Sequence, residues 1–175
     1  MQKRENQALT LRERDELARL EGSRLDTPPD LTDLRPTAIG NILRAVERRV
    51  VHRYGLDAVL LWPRLWLLLP EESRQEIAAA RASLDRLAEA WGWGLCFLVW
   101  ALWQPWAVLI ALVWMLLAAR LARSPARTFA VLVQSAFDLY RWRLYEALHF
   151  PVLQEKGAAE VAAGQALTRY IQRGA

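Results

Sequence analysis

Cysteine, histidine and lysine are all scarce in this 175-residue chain. One Cys and two His exclude a disulfide framework and leave too few donors for a self-contained structural zinc site. Lysine occurs only at Lys3 and Lys156, so 21 of the 23 basic residues are Arg. The first 38 residues hold no long apolar run, which argues against a cleavable signal peptide and for a cytoplasmic N-terminus. No phosphate loop, G-x-G-x-x-G, G-x-S-x-G or H-E-x-x-H occurs. His52 and His149 are far apart, and Cys96 lies in apolar sequence, where it reads as a small hydrophobe. No nucleophile–base pair emerges. The expectation is a protein without catalytic residues, cofactor or metal.

What is present divides into two compositions. Hydrophobic residues make up 54% and charged residues 24%. The mean hydropathy of +0.03 averages unlike segments. The net charge is +4, but the signs are mixed along most of the chain, so nucleic acid is not an expected partner. There are nine Trp.

Residues 91–119, WGWGLCFLVWALWQPWAVLIALVWMLLAA, are 29 residues without a charge. A core helix of a soluble protein rarely needs more than about 14 apolar residues in a row, whereas a membrane span needs roughly 20. Gln104-Pro105 stands at the centre of the run. Proline removes an N–H and fixes φ, so it kinks a helix or begins a new one. As one helix the run would be about 44 Å long, against a hydrocarbon core of about 30 Å. As two helices, 87–103 and 106–122, each arm is about 25 Å. Arg74, Arg81 and Arg86 precede the run, and Arg120, Arg123 and Arg127 follow it. Positive flanks mark the cytoplasmic side, and a hairpin satisfies that rule at both ends. The alternative is one tilted, kinked span. In the hairpin, Trp100, Trp103 and Trp106 reach the far interface while Trp91 and Trp93 mark the near one. The expected location is the cell membrane, with both termini cytoplasmic.

The polar segments read as helices. T-x-x-E at Thr10 and Glu13 is a capping-box pattern, with Gly22 a plausible stop. A Pro- and Asp-rich linker follows to residue 36. Ile39, Ile42, Leu43, Val46, Val50 and Tyr54 recur at helical spacing, with Thr37 as cap and Gly55 as left-handed stop. The opposite face bears Arg44, Arg48 and Arg53, candidates for anionic headgroups if that face is not simply solvated. Residues 58–69 are too short to span. They form either a buried segment or an interfacial one, with Trp62 and Trp66 at headgroup depth and Arg64 snorkelling. Pro70-Glu71-Glu72 starts the next helix. That helix continues through Ile77, Ala80, Leu84, Leu87 and Trp91 into the first arm. A stripe of Phe129, Val133, Ala136, Tyr140, Leu144 and Leu148 extends the second arm. Asp138, Arg141, Tyr145 and His149 form a polar row on it. That row is a binding feature or, more plainly, an intrahelical ion pair beside a hydrogen-bonding Tyr. Ala163, Leu167, Tyr170 and Ile171 give a terminal helix a narrow apolar face.

The run PTAIGNILRAVERRVVHRYGLDAVLLWPRLWLLLPEE, residues 36–72, resembles a pattern in bacterial membrane proteins without assigned activity, largely actinobacterial. FDLYRWRLYEALHFP and ALTRYIQRG are similar to the end of such proteins. The resemblance covers roughly residues 36–175 and implies a membrane placement, without a mechanism. Longer members carry further membrane helices upstream, where this chain has a short charged segment.

The expected fold is all-α: a membrane helical hairpin with long cytoplasmic extensions and an amphipathic helix. The leading functional expectation is a non-enzymatic, membrane-anchored interaction or assembly protein. Its expected partners are the lipid bilayer and either further copies of itself or a membrane or cytoplasmic protein. Alternatives are a pore-forming or membrane-perturbing effector, and an enzyme or binder acting on lipid headgroups.

Overall fold

The computed structural model describes residues 31–151 and 157–173, and every regular element among them is helical. The expected capped helix between Thr10 and Gly22 lies outside the described residues. After a 3-10 turn at Leu31–Asp33 come α1 (Ala38–Tyr54), α2 (Ala58–Leu68) and α3 (Glu71–Phe97). A second 3-10 segment, Leu98–Leu102, leads to the turn at Gln104-Pro105. Then follow α4 (Ala107–Leu121), α5 (Arg123–Ala147) and α6 (Ala158–Gln172).

Local chemistry accounts for the ends of α1 and α2. The Thr37 hydroxyl accepts a hydrogen bond from the Gly40 N–H at 3.0 Å, as a capping residue should. Gly55 stops α1 with φ 69°, the left-handed conformation that glycine adopts without steric cost. Asp57 caps α2 by accepting from the N–H groups of Val59 and Leu60.

α4 and α5 make one rod of 41 residues, joined at Ala122. Pro125 stands in the first turn of α5, where its missing N–H loosens the local ladder without ending the helix. Backbone bonds from Ala122 to Ala118 and from Ala126 to Ala122 carry the rod through the junction. α3 lies antiparallel against this rod. The two halves of the charge-free stretch therefore fold back on each other about Gln104-Pro105. The first arm differs from a uniform helix: it is α-helical to Phe97 and then tightens into 3-10 geometry. α3 carries charged residues as far as Glu89, and among the described residues only the rod containing α4 is long and apolar enough to cross a membrane.

The rod meets its neighbours through a seam of small residues. Ala107, Ala111, Ala118, Ala122, Ala126 and Ala130 are all buried and recur at steps of four, once seven. Such a stripe lets helix backbones approach closely. Gly94 on α3 faces it: a Cβ there would sit 2.6 Å from Met115 Cγ. The Trp114 indole N–H donates to the Ala90 carbonyl at 2.7 Å and ties the arms together.

Below the hairpin the helices pack into a core. Ile42 and Val46 of α1 meet Leu84, Ala126 and Ala130. Further down, Val50, Leu56, Leu61, Leu65, Phe137, Leu144 and Leu167 are fully buried, joining α1, α2, α5 and α6. α6 crosses the end of α1 at closest range where Gly164 meets Tyr54. A Cβ on Gly164 would stand 1.9 Å from the Tyr54 carbonyl oxygen.

Candidate functional site

The arginines of α1 divide by partner. Arg44 Nη2 bonds Asp33 Oδ1 at 2.8 Å, and its Nη1 bonds Glu47 Oε2 at 2.9 Å. Arg48 holds the other oxygen of the Asp33 carboxylate through Nε. These charge-assisted bonds, Arg48's first and then Arg44's, lower the Asp33 pKa to about 2. Glu47 and Asp33 raise the Arg44 pKa further. Two of the expected headgroup ligands thus join the 31–33 turn to α1, and their charge is matched locally by Asp33 and Glu47. Arg53 is the open member, 63% exposed, with its Nη1 3.7 Å from Asp138. Arg64 is exposed on α2 and donates to the Leu60 carbonyl of its own helix at 3.1 Å.

Asp138 and Arg141 partner across helices, and the intrahelical ion pair expected for this row does not form. Asp138 accepts from the Tyr54 hydroxyl of α1. Arg141 Nε bonds Glu160 Oε1 of α6 at 2.7 Å, with both residues buried. Its guanidinium packs over the rings of Tyr54 at 4.3 Å and Trp142 at 4.5 Å. The other Arg141 branch donates to the Asp138 backbone carbonyl. Burial, and then the bond to Asp138, push the Tyr54 pKa up to about 12. Burial, and then Glu160, do the same for Tyr145. The Tyr145 hydroxyl is buried and has no hydrogen-bond partner.

His149 leaves the row altogether. It sits past the end of α5 with φ 52°, outside the helical register. Its N–H bonds Glu146 O at 3.1 Å, while the Phe150 N–H bonds Tyr145 O at 2.9 Å. This pair of bonds is the Schellman arrangement, so His149 occupies the position where glycine is usual.

The tryptophans also split. Trp62 and Trp66 are half-buried, 5.7 Å apart between ring centroids, and Trp62 packs on Phe137. Their rings serve the core, and the exposed apolar stripe of α2 is formed by Val59, Pro63 and Leu67. Trp91, Trp93, Trp103 and Trp106 are exposed on the hairpin, together with Trp100 and Trp114. The Trp106 indole N–H donates to Gln104 Oε1 at 3.0 Å across the turn.

Sequence reasoning missed the alanine seam, Asp33, Glu160 and Gly164. The four-residue recurrence of Ala was present as a signal, but alanine carries little hydropathy contrast inside an apolar run. Among the described residues no group of three or more His, Cys, Asp or Glu is placed to hold a metal ion. No protein-family model, curated protein or solved structure matches the chain.

Proposed function

We propose that this chain is a non-enzymatic, membrane-anchored interaction or assembly protein. In this reading the hairpin of residues 91–119 inserts in the bilayer from the cytoplasmic side. The bundle built from α1, α2, the outer parts of α3 and α5, and α6 remains in the cytoplasm. The reading is supported above all by the exposure of the hairpin's large side chains. Leu102 is 81% exposed, Trp103 72% and Leu109 69%, while the buried positions of α4 are all alanines. Apolar surface on this scale exceeds what a soluble monomer leaves to water. A bilayer solvates it, and backbone hydrogen bonding within the helices meets the requirement that hydrocarbon imposes.

Arg74, Arg81 and Arg86 on one side, with Arg120, Arg123 and Arg127 on the other, support a cytoplasmic position for both flanks. The uncharged part of α4, residues 107–119, is about 20 Å long. It reaches across a hydrocarbon core of about 30 Å only with local thinning and snorkelling of Arg120. The bundle offers a wide helical surface for a second copy or another protein.

Extraction and labelling test the placement. The protein should resist alkaline carbonate, and a Gln104→Cys variant in a Cys96→Ala background should react with a membrane-impermeant maleimide only from outside the cell. Labelling of residue 150 from outside, with residue 60 inside, would replace the hairpin by a single span. Release by carbonate would remove the membrane reading. Crosslinking in native membranes should trap a homo-oligomer or a partner through the bundle.

A further inference from the structure

A cavity of about 580 Å³ lies where the hairpin joins the bundle, within the roughly 300–1,000 Å³ range of ligand sites. Its walls come from the start of α1, from α3, and from the α4–α5 rod. The lining changes character along its length in the same sense on both long elements. On α3 it runs from Arg81 and Asp85, through Leu87, to Trp91. On the rod it runs from Arg123 to Ala118. Trp91 and Ala118 belong to the charge-free stretch, and Arg81 and Arg123 lie beyond its two ends. The cavity is therefore apolar toward Trp91 and Ala118, and Arg81, Asp85 and Arg123 line it on the bundle side. Asp85 balances one of the two guanidinium groups through its pair with Arg81 at 3.1 Å. Thr37 and Ala38 bring the N-terminal turn of the 17-residue α1 to the cavity, adding the positive end of a helix dipole.

We propose that this cavity binds one anionic phospholipid molecule, one of its two acyl chains along Leu87, Trp91 and Ala118 and its phosphate at Arg81 and Arg123. The assignment rests on the membrane placement argued above, which puts the apolar end of the cavity at hydrocarbon depth and its arginines at headgroup depth. An apolar wall ending in cations at the charge boundary matches an amphipathic anion in both shape and sign. Arg44 and Arg48, by contrast, face Asp33 and Glu47 and belong to a separate ion-pair network.

Native mass spectrometry of the full chain, released from nanodiscs of phosphatidylglycerol and phosphatidylcholine into mild detergent, tests this. The wild type should retain one phosphatidylglycerol per chain in preference to phosphatidylcholine. Arg123→Gln should weaken that retention about fivefold, the value of one headgroup contact. Ala119→Trp, which fills the cavity from its exposed wall, should abolish it while helicity by circular dichroism is kept. If Ala119→Trp fails to fold, Ala88→Leu, also on an exposed wall position, serves the same purpose. Retention that is equal in wild type and cavity-filled variants would identify annular lipid and overturn the proposal. Crosslinks that place residues 1–30 or a second copy in the cavity would overturn it too. A carbonate-resistant wild type without retained lipid overturns this proposal alone. A carbonate-soluble protein overturns the membrane placement with it.

Discussion

Arg141 and Glu160 form an ion pair of 2.7 Å between α5 and α6 with both side chains buried. The pair joins a helix continuous with the hairpin to the last helix of the bundle. Its worth lies in the cost of breaking it, because a lone buried charge has no water to return to. Glu160→Gln should lower stability in detergent by about 3 kcal/mol, the low end for an orphaned buried partner. The double variant Arg141→Met, Glu160→Met should unfold closer to wild type than Glu160→Gln does, measured by urea titration. A double variant less stable than the single would show that the rings of Tyr54 and Trp142, stacked on Arg141, matter more than the charge pair.

Tyr54, which packs on α5, and Tyr145, a residue of α5, should respond oppositely to loss of the hydroxyl. Tyr54→Phe removes a bond to the Asp138 carboxylate and should cost about 1.5–3 kcal/mol. Tyr145→Phe removes a buried hydroxyl without a partner and should be neutral or stabilising by about 1 kcal/mol. Both folded pKa values lie near 12, above the ordinary 10.0. Their contribution is thus complete below pH 10 and is lost as the pH rises from 10 toward 12. Thermal midpoints across that window should fall less steeply in the double Phe variant than in wild type.

Asp33 supplies the acid-side counterpart. Its folded pKa of about 2 lies below the ordinary 3.8. The tether from the 31–33 turn to α1 is therefore complete above pH 3.8 and is lost as the pH falls toward 2. Carboxyl NMR should place the Asp33 midpoint near 2. Arg48→Leu should move it up toward 3.8, and more so when combined with Arg44→Leu. A midpoint unmoved by the double change would show that the guanidinium groups do not hold the carboxylate.

How far these features were readable in advance depends on the range of the interaction. Thr37 and Gly55 act within one turn of their own helix, and spacing alone located them. The fold-back of the two arms followed from 29 uncharged residues and one Gln-Pro step. Periodicity placed Asp138, Arg141 and Tyr145 on one helix but carried no information on what would cross them. Asp138 finds Tyr54, 84 positions away, and Arg141 finds Glu160, 19 positions away in another helix. The same limit hid Asp33 as the anchor of Arg44 and Arg48. It also concealed that Gly164 is where α6 touches α1. Trp62 and Trp66 read as interfacial anchors or as part of a buried segment because Trp serves either role, and Phe137, on which Trp62 packs, lies on another helix.

His149 gives a stability prediction from backbone conformation alone. A non-glycine residue in the left-handed region costs about 1–2 kcal/mol. His149→Gly should therefore stabilise by up to about 1 kcal/mol after glycine's greater unfolded-state entropy is subtracted. Destabilisation on this change would mean that the imidazole makes a contact worth more than the strain.

The alanine seam predicts which substitutions open the hairpin. Ala111 is fully buried against α3, whereas its neighbour Leu112 is exposed. The arms are held by close packing of small residues and by bonds such as Trp114 to Ala90. A larger side chain at the seam separates the backbones and weakens both. Spin labels at Trp93→Cys and Val113→Cys, both exposed positions, report the spacing of the arms in a Cys96→Ala background. Ala111→Leu should lengthen that distance and lower the thermal midpoint. Leu112→Ala, a change of the same size in the opposite sense, should alter neither. Equal distances in the two variants would show that the arms are held by the bundle below rather than by the seam.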